Sequence, residues 1–253
     1  MNILVCVKRV PDIGSRLEVA AGGKDVETRH LGFTISPHEE CAVEEAVLII
    51  EKMGGSGTVL TLGVADAEEQ LRDSMARGMD RGILIETGDA LDPGQTAAAI
   101  AECIRAQERQ GKRFDLILFG SESADSAGYQ VGIRVAHALD LPCVTGVKRM
   151  TVDAARVTAK REMGAGFETF EVSLPTVLTV KEGLNLPRHP SLRATMTARK
   201  KPIERIRPNP GSAGLELLRL AVPAEKKAGA EILGEGKGAV PRVVDLLEEL
   251  RLL

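Results

Sequence analysis

Short apolar runs alternate with longer amphipathic stretches along residues 1–180, and this alternation limits the folds that are open to the chain. The apolar runs are rich in Val, Ile and Leu, which is typical of parallel strands that are buried on both faces. The stretches between them carry apolar residues at helical spacing. Strands that alternate with helices predict an α/β fold with a doubly wound, mostly parallel sheet. The predicted strands are residues 2–7, 58–62, 82–85, 115–119 and 142–147.

The helix starts can be predicted from their capping residues. Ser36, Pro37 and Glu39 together predict a capping box with proline at the first helical position, and a glycine pair at 54–55 ends that helix. Asp66 is predicted to cap a second helix, and residues 93–109 form a third.

Residues 157–204 depart from the alternating pattern. Two strand-like runs flank Gly164-Ala165-Gly166, which predicts a β-hairpin. After an apolar run at 174–180, the chain becomes basic and interrupted by proline, with one lone leucine, Leu192, expected to be exposed between Pro190 and Arg193. The basic run fits either a solvated surface or a surface that a partner covers. Residues 205–240 have no sustained period and predict an extended arm, closed by an amphipathic helix at 240–253.

Composition excludes several classes of protein. A formal net charge of −3 and a scarcity of aromatic residues, with one Tyr and no Trp, argue against nucleic-acid binding. The four cysteines form no CxxC pair, and no apolar run approaches the length of a membrane helix. We therefore expect a soluble, cytoplasmic chain that does not insert into a membrane.

The loop at residues 120–132 is the best candidate for a ligand site. In a doubly wound sheet, ligands bind beyond the carboxyl ends of the strands, and this Gly- and Ser-rich loop leads from a strand into a helix. The helix N-terminus predicts an anion site, although an ordinary loop with serine caps fits equally well. The P-loop and dinucleotide fingerprints are both missing.

No catalytic constellation stands out in the sequence. The four histidines lack metal-ligand spacing, so no metal site is predicted. Glu44 and Glu45 are expected to be solvated on a helix face, and Arg161 with Glu162 fits a cross-strand ion pair in the hairpin. This favours a binding or carrier role, not an enzyme with its own catalytic residues.

Several segments together resemble a known family. They are the opening NILVCVKRVPD, the helix segment at 42–46, the Gln130-Val131-Gly132 end of the loop, and the run from 160 to 204. The chain resembles the β subunit of electron transfer flavoproteins along nearly its whole length. The segment from Arg161 to Ile203 is close to the signature pattern of that family.

The resemblance implies a fold like that of the adenine nucleotide α hydrolases, divided into three parts. These are a nucleotide-binding domain at 1–184, a partner-recognition loop and helix at 185–203, and an arm and helix at 204–253 that wrap an α subunit. It further implies one FAD held mainly by the α subunit, and a structural AMP in this chain. Electrons would come from an acyl-CoA-type dehydrogenase and pass to a membrane quinone oxidoreductase or another acceptor, as in fatty acid β-oxidation.

The resemblance also implies roles for single residues. Leu192 corresponds to the leucine that docks on the dehydrogenase, and Ile13 and His38 correspond to positions near the flavin, where the family often has an aromatic residue. The implied AMP contacts are Cys6, Ser36, Leu62, Gly63, Ser123, Ser126, Tyr129, Gln130 and Val131.

Two alternatives remain open at this point. A flavin-bifurcating subunit would hold a second FAD in place of AMP, but the acidic run typical of those relatives is replaced by Asp125-Ser126-Ala127-Gly128-Tyr129. A stand-alone nucleotide-binding module would have no use for the long arm.

The docking loop also departs from the family, with Leu186, His189 and Arg193 where Glu, Tyr and Pro are common.

Overall fold

A nine-stranded sheet with helices on both faces forms the body of the protein. The computed structural model describes residues 1–12, 14, 17–88, 90–209, 211–222 and 231–253. The strands are β1 (Asn2–Val7), β2 (Val10–Pro11), β3 (Phe33–Thr34), β4 (Ser56–Gly63), β5 (Arg81–Glu86), β6 (Leu116–Gly120), β7 (Cys143–Val152), β8 (Arg156–Met163), β9 (Gly166–Ser173), β10 (Thr176–Val180) and β11 (Ile203–Ile206). The α-helices are α1 (Pro37–Met53), α2 (Glu68–Arg77), α3 (Pro93–Arg109), α4 (Val131–Leu139), α5 (Leu192–Ala198) and α6 (Val240–Glu249).

The strand order in the sheet is β11-β5-β4-β1-β6-β10-β7-β8-β9. Neighbouring strands are parallel from β11 to β7, and only β8 and β9 run antiparallel to their neighbours. This confirms the predicted doubly wound, mostly parallel sheet. Strand β1 pairs with β4 on one side and with β6 on the other. The strand order therefore reverses between β1 and β6.

Alternate residues of β1 enter two separate cores. Ile3 and Val5 pack with the buried residues of α1 and α2, whereas Leu4 and Cys6 pack with those of α3 and α4. A strand that is apolar at every position is needed to fill both cores, because successive side chains point to opposite faces. The continuous apolar run at the start of the sequence thus follows from a central position in the sheet.

The first helix begins as the sequence predicts. The Ser36 hydroxyl accepts from the backbone N–H of Glu39 at 3.3 Å, and the Glu39 carboxylate accepts from the backbone N–H of Ser36 at 2.9 Å. The prediction for Asp66 is wrong. Residues 65–67 form a 3₁₀ turn, and α2 begins one residue later with Ala67 buried at its N-terminus and no side-chain cap.

The hairpin formed by β8 and β9 is also confirmed. The two strands are joined by Gly164 and Ala165, and Gly164 has a φ of 55°, which a glycine adopts without strain. Arg161 does form a cross-strand ion pair, but its partner is Glu168 at 2.6 Å, because Arg161 and Glu168 are paired in register, whereas Glu162 lies on the same strand as Arg161.

The C-terminal region differs in part from the predicted arm. Strand β11 adds to the edge of the sheet parallel to β5, so the predicted boundary between 203 and 204 falls inside a strand. Residues 211–222 contain no helix or strand, and α6 follows in the described stretch that ends the chain.

Candidate functional site

The reversal of strand order between β1 and β6 places four chain segments at one edge of the sheet. The carboxyl ends of β1 and β6 lie side by side there, since Cys6 and Phe119 are partners in register. The loop at 121–130 leaves β6 at this edge and enters α4, and the N-terminus of α1 approaches from one side. Ligands of doubly wound proteins bind at such a reversal.

Lys8 and Glu39 join the end of β1 to α1 and to the loop. The backbone N–H of Lys8 donates to one oxygen of the Glu39 carboxylate at 3.0 Å, and the Lys8 ammonium contacts Asp125 at 2.6 Å. Burial raises the pKa of Glu39 to about 8, although its two backbone hydrogen bonds act in the opposite direction. Burial alone would raise the pKa of Asp125, but its hydrogen bonds and charge contact with Lys8 leave that pKa lowered.

His38 connects α1 to two other segments at the same edge. Its Nδ1 accepts from the backbone N–H of Glu182 at 2.8 Å, so the ring proton is on Nε2, which donates to the Glu122 carboxylate at 3.1 Å. The Ser36 hydroxyl donates to the backbone carbonyl of Glu122 at 3.2 Å. Both ring nitrogens of His38 are therefore occupied, and its ring can pack against a ligand but cannot hydrogen-bond one.

The loop narrows into a tight turn before α4. The hydroxyls of Ser123 and Ser126 are 2.9 Å apart, and Ala127 and Tyr129 both adopt positive φ angles, of 44° and 53°. A hydrogen bond from Tyr129 to the Glu122 carboxylate raises the pKa of the phenol. Strained backbone angles of this kind are retained where the surroundings fix them, often at ligand sites.

The first turn of α4 fits an anion better than the first turn of α1 or of α3 does. Both α1 and α3 begin with a capping box, whereas no side chain caps the N-terminus of α4. A Cβ on Gly132 would lie 2.9 Å from a Thr179 methyl and 3.2 Å from the Phe119 ring, so this turn lies directly on the sheet. The backbone amides of the turn are thus free of side-chain acceptors at the edge where ligands bind.

The structure brings most of the residues predicted at this site together. The loop that leads into α4 contains Ser123, Ser126, Tyr129 and Gln130, and Val131 is the first residue of α4. Ser36 caps α1, and Leu62 and Gly63 end β4 at the same edge. Cys6 differs, because its side chain is buried in the core between the sheet and α3. Ile13 lies outside the described residues.

Leu192 lies away from this edge, at the start of α5. Its side chain is 79% exposed, and Leu186 in the preceding loop is 91% exposed. The expectation that Glu44 is solvated is wrong. Its side chain is only 5% exposed and forms an ion pair with Arg188 at 2.9 Å. A helical pattern cannot reveal this contact, because Arg188 reaches α1 from a segment 144 residues later in the chain.

The sequence does not assign a role to four polar residues of the site, which are Lys8, Glu122, Asp125 and Glu182. The position of Lys8 can be predicted, since it directly follows a central strand, where ligand sites form, but its ion pair with Asp125 cannot. Glu122 and Asp125 lie inside the predicted loop, but no motif distinguishes them from other acidic residues in loops. Glu182 contributes only its backbone N–H, which no sequence pattern identifies.

Comparison with known proteins agrees with this architecture. A family model described as the electron transfer flavoprotein domain matches residues 25–210. The electron transfer flavoprotein subunit beta of Bacillus subtilis (strain 168) is 32% identical over 257 residues, which cover 98% of this chain and 97% of that protein. The human subunit beta is 33% identical over 243 residues, with 92% of each chain covered. The subunit beta of Bradyrhizobium diazoefficiens is 34% identical over 239 residues, covering 92% and 93%.

The chain belongs to the electron transfer flavoprotein family. The relatives are named as β subunits, and they match this chain along nearly their full length, which confirms the resemblance noted in the sequence. As a β-type member of a flavoprotein family, the chain takes part in flavin-dependent electron transfer. The described helices include none that is long and apolar enough to cross a membrane. Within the described ranges, no cluster of three or more His, Cys, Asp or Glu could hold a metal ion.

Proposed function

We propose that the chain is the β subunit of an αβ heterodimer that carries one FAD and shuttles electrons between other proteins, without catalysing a reaction of its own. The uncovered apolar side chains of the C-terminal region carry this proposal. On and after α6, Val240, Val243, Val244, Leu250, Leu252 and Leu253 are all exposed, and so are Leu215, Leu217, Leu218 and Val222 before it. Apolar surface of this extent on a folded chain is typical of a protein interface. We assign it to the α subunit.

We propose that the α subunit holds most of the FAD and that this chain forms part of the wall beside it. FAD, when bound, takes up and releases electrons one or two at a time. His38 is the candidate contact in the described part of the chain. Because both its nitrogens are held by Glu122 and Glu182, it would pack against the cofactor through its ring and keep a fixed orientation.

For the edge of the sheet, we propose a bound AMP with a structural role. The uncapped first turn of α4 would hold the phosphate through the backbone amides at and after Tyr129, Gln130 and Val131. The hydroxyls of Ser123 and Ser126 and the ends of β1 and β4 would contact the rest of the nucleotide. Asp125 does not oppose an anion at this place, since Lys8 compensates its charge.

We further propose that Leu192 docks on an acyl-CoA-type dehydrogenase, which supplies the electrons, and that a quinone oxidoreductase or a similar protein accepts them. An exposed leucine at the first position of a short helix suits insertion into an apolar pocket of a partner. A cytoplasmic location fits the four cysteines, which are all free thiols, as expected in a reducing compartment.

Co-purification with the α subunit, followed by acid extraction and identification of the nucleotides, tests the proposal. One FAD and one AMP per heterodimer is the expected result. Two FAD and no AMP would instead indicate a bifurcating subunit, and a colourless monomer would indicate a stand-alone nucleotide-binding module. The docking role is tested separately with Leu192→Ala, which should raise the KM for the dehydrogenase but leave the heterodimer and its FAD content unchanged.

A further inference from the structure

The segment that carries Leu192 is fastened to the body of the protein at both ends. Its first fastening is Arg188, whose guanidinium lies between two carboxylates of α1. Nε and Nη2 of Arg188 contact the Glu44 carboxylate at 3.0 and 2.9 Å, and Nη1 and Nη2 contact Glu51 at 2.6 and 3.0 Å. The backbone N–H of Arg188 donates to Glu44 as well, at 3.0 Å. One arginine thus joins the loop to two positions of α1 that are about two helical turns apart.

Asn185 adds a second contact between the same loop and α1. Its side-chain amide donates to the backbone carbonyl of Cys41 at 3.0 Å and to the Glu45 carboxylate at 2.9 Å. The Cys41 thiol donates in return to the backbone carbonyl of Asn185 at 3.7 Å. Residues 185–188 therefore follow α1 closely.

The far end of the segment is fastened to α2 by a reciprocal exchange of caps. Arg72 of α2 donates to the carbonyls of Ala198, the last residue of α5, and of Lys201, just beyond it, at 2.8 and 2.7 Å. The Lys201 ammonium donates to the carbonyls of Met75 and Met79 at the end of α2, at 2.9 and 2.7 Å. The backbone carbonyls at and after the end of each helix thus accept hydrogen bonds from a cationic side chain that belongs to, or follows, the other helix.

Between these two fastenings lie residues 189–197, which carry Leu192 and most of α5. A helix of seven residues is too short to be stable without help. Ser191 caps it by accepting from the backbone N–H of Ala194 at 3.3 Å, but Leu192 and Met196 point outward, 79% and 61% exposed. The position of Leu192 is therefore set by what holds the two ends.

The Arg188 contact differs from an ordinary surface ion pair, because the Glu44 side chain is only 5% exposed. A buried carboxylate needs a compensating charge, and its loss leaves an unpaired buried ion. The hydrogen bonds to Glu51 and Glu44 also raise the pKa of Arg188 beyond its ordinary value. Arg188 therefore stays fixed where a more exposed arginine would move freely.

We propose that Arg188 is a positioning residue, which holds residues 185–192 against Glu44 and Glu51 so that Leu192 is presented to the electron donor in a preformed geometry. This inference rests on the docking role proposed for Leu192. A preformed loop binds more tightly because the cost of ordering it has already been met during folding. Without the arginine, the loop would populate many positions, and the apparent affinity would fall with the fraction that is competent to bind.

The test uses the FAD-loaded heterodimer and an acyl-CoA dehydrogenase that reduces the wild-type protein. In Arg188→Gln, we expect faster hydrogen exchange at residues 183–192 and a rise of about tenfold in the KM for the dehydrogenase, if the docking geometry is then populated about a tenth of the time. Reduction of the flavin by dithionite and the kcat at saturating dehydrogenase should not change. Arg156→Gln is the control, since Arg156 pairs with Glu171 at 3.4 Å across the β8–β9 hairpin and takes no part in either fastening of the loop.

A second variant separates positioning from stability. Arg188→Gln alone leaves Glu44 as an unpaired buried charge, which should lower the melting temperature. In the double variant Glu44→Gln/Arg188→Gln no such charge remains, so the melting temperature should return toward that of the wild-type protein, whereas the KM should stay high. Normal exchange at 183–192 in Arg188→Gln would overturn the proposal. A normal KM despite faster exchange would also overturn it, provided that Leu192→Ala raises the KM. If Leu192→Ala leaves the KM unchanged, the docking function itself is refuted, and with it the purpose assigned to Arg188.

Discussion

The Glu39 carboxylate accepts a hydrogen bond from the backbone N–H of Lys8 at 3.0 Å, across the reversal of the strand order. The same carboxylate closes the capping box of α1, so one buried side chain joins the first helix to the end of the first strand. A Cβ on Gly120 would lie 2.7 Å from the Glu39 side chain, so the end of β6 packs against it as well. Glu39 thus holds three of the segments that form the candidate nucleotide site.

Glu39 should make stability depend on pH. Burial raises its pKa from 4.5 to about 8 in the folded chain, so the native state binds a proton that the unfolded chain has already released between these values. The free energy of unfolding should therefore fall as pH rises from about 5 to about 8. The Glu39→Gln variant, which has no such proton, should lose this part of the slope, up to about 4 kcal/mol. Urea unfolding at pH 5 and pH 8 measures it. Parallel profiles for the two proteins would contradict the assignment.

Gly132→Ala should destabilise the protein and weaken nucleotide binding together. The new methyl group would lie 2.9 Å from the Thr179 methyl and 3.2 Å from the Phe119 ring, in a packed region where neither can move far. Overpacking of this kind costs about 1–3 kcal/mol. To relieve the overlap, the first turn of α4 must move away from the sheet. Because this turn is the proposed phosphate site, the affinity for AMP should also fall, as measured by calorimetry. Gly128→Ala is the matched control in the same loop, since nothing lies within 4 Å of its Cβ position. Equal effects in both variants would argue against a packing cause.

The sequence predicts those elements whose signals are local. The capping box at Ser36 and Glu39 is contained in four residues. The hairpin turn needs a positive φ at Gly164, which glycine adopts without strain. The prediction for Asp66 fails because Asp66 lies inside a 3₁₀ turn that precedes α2, and composition does not distinguish such a turn from the helix itself.

The contacts that build the candidate site and the docking loop are not local. Lys8 meets Asp125, and Glu44 meets Arg188, across separations of 117 and 144 residues. A lone charged residue on a helix face has the same pattern whether it is solvated or paired with a distant arginine. The sequence does not predict β11 for a related reason, because Ile203 and Ile206 lie among basic residues and it is pairing with β5 that places them in the sheet.

Removal of the Lys8 charge should affect the nucleotide site more than the stability of the fold. The side chains of Lys8 and Asp125 are 45% and 30% exposed, so their ion pair contributes at most about 1 kcal/mol to folding. It nevertheless fixes the loop at 121–130, and its loss leaves the Asp125 charge uncompensated beside the proposed phosphate. In Lys8→Met, the affinity for AMP should fall about three- to tenfold. Lys24→Met, which breaks the exposed pair with Glu216, serves as the control and should bind AMP normally. If Lys8→Met binds AMP as tightly as the wild-type protein, the phosphate does not lie near Asp125.

Asp92 should hold the beginning of the arm against α3. Its carboxylate accepts from the backbone N–H of Gln95 at 2.8 Å, which caps the helix, and from the backbone N–H groups of Gly214 and Leu215 at 2.6 and 3.0 Å. These hydrogen bonds lower the pKa of Asp92 to about 2, with the bond from Gln95 as the largest contribution. A group with a lowered pKa stabilises the fold above its ordinary value of 3.8, and this contribution is lost as pH falls toward about 2.

Two substitutions at Asp92 should separate its two roles. Asn is also a good helix cap but carries no charge, so Asp92→Asn should leave α3 intact and increase hydrogen exchange at residues 211–215. Asp92→Ala removes the cap as well, so exchange should rise both in the first turn of α3 and in the arm. Hydrogen-exchange mass spectrometry at pH 7 measures both segments in one experiment. Should Asp92→Asn leave the exchange of residues 211–215 at the wild-type rate, the carboxylate is not what fastens the arm.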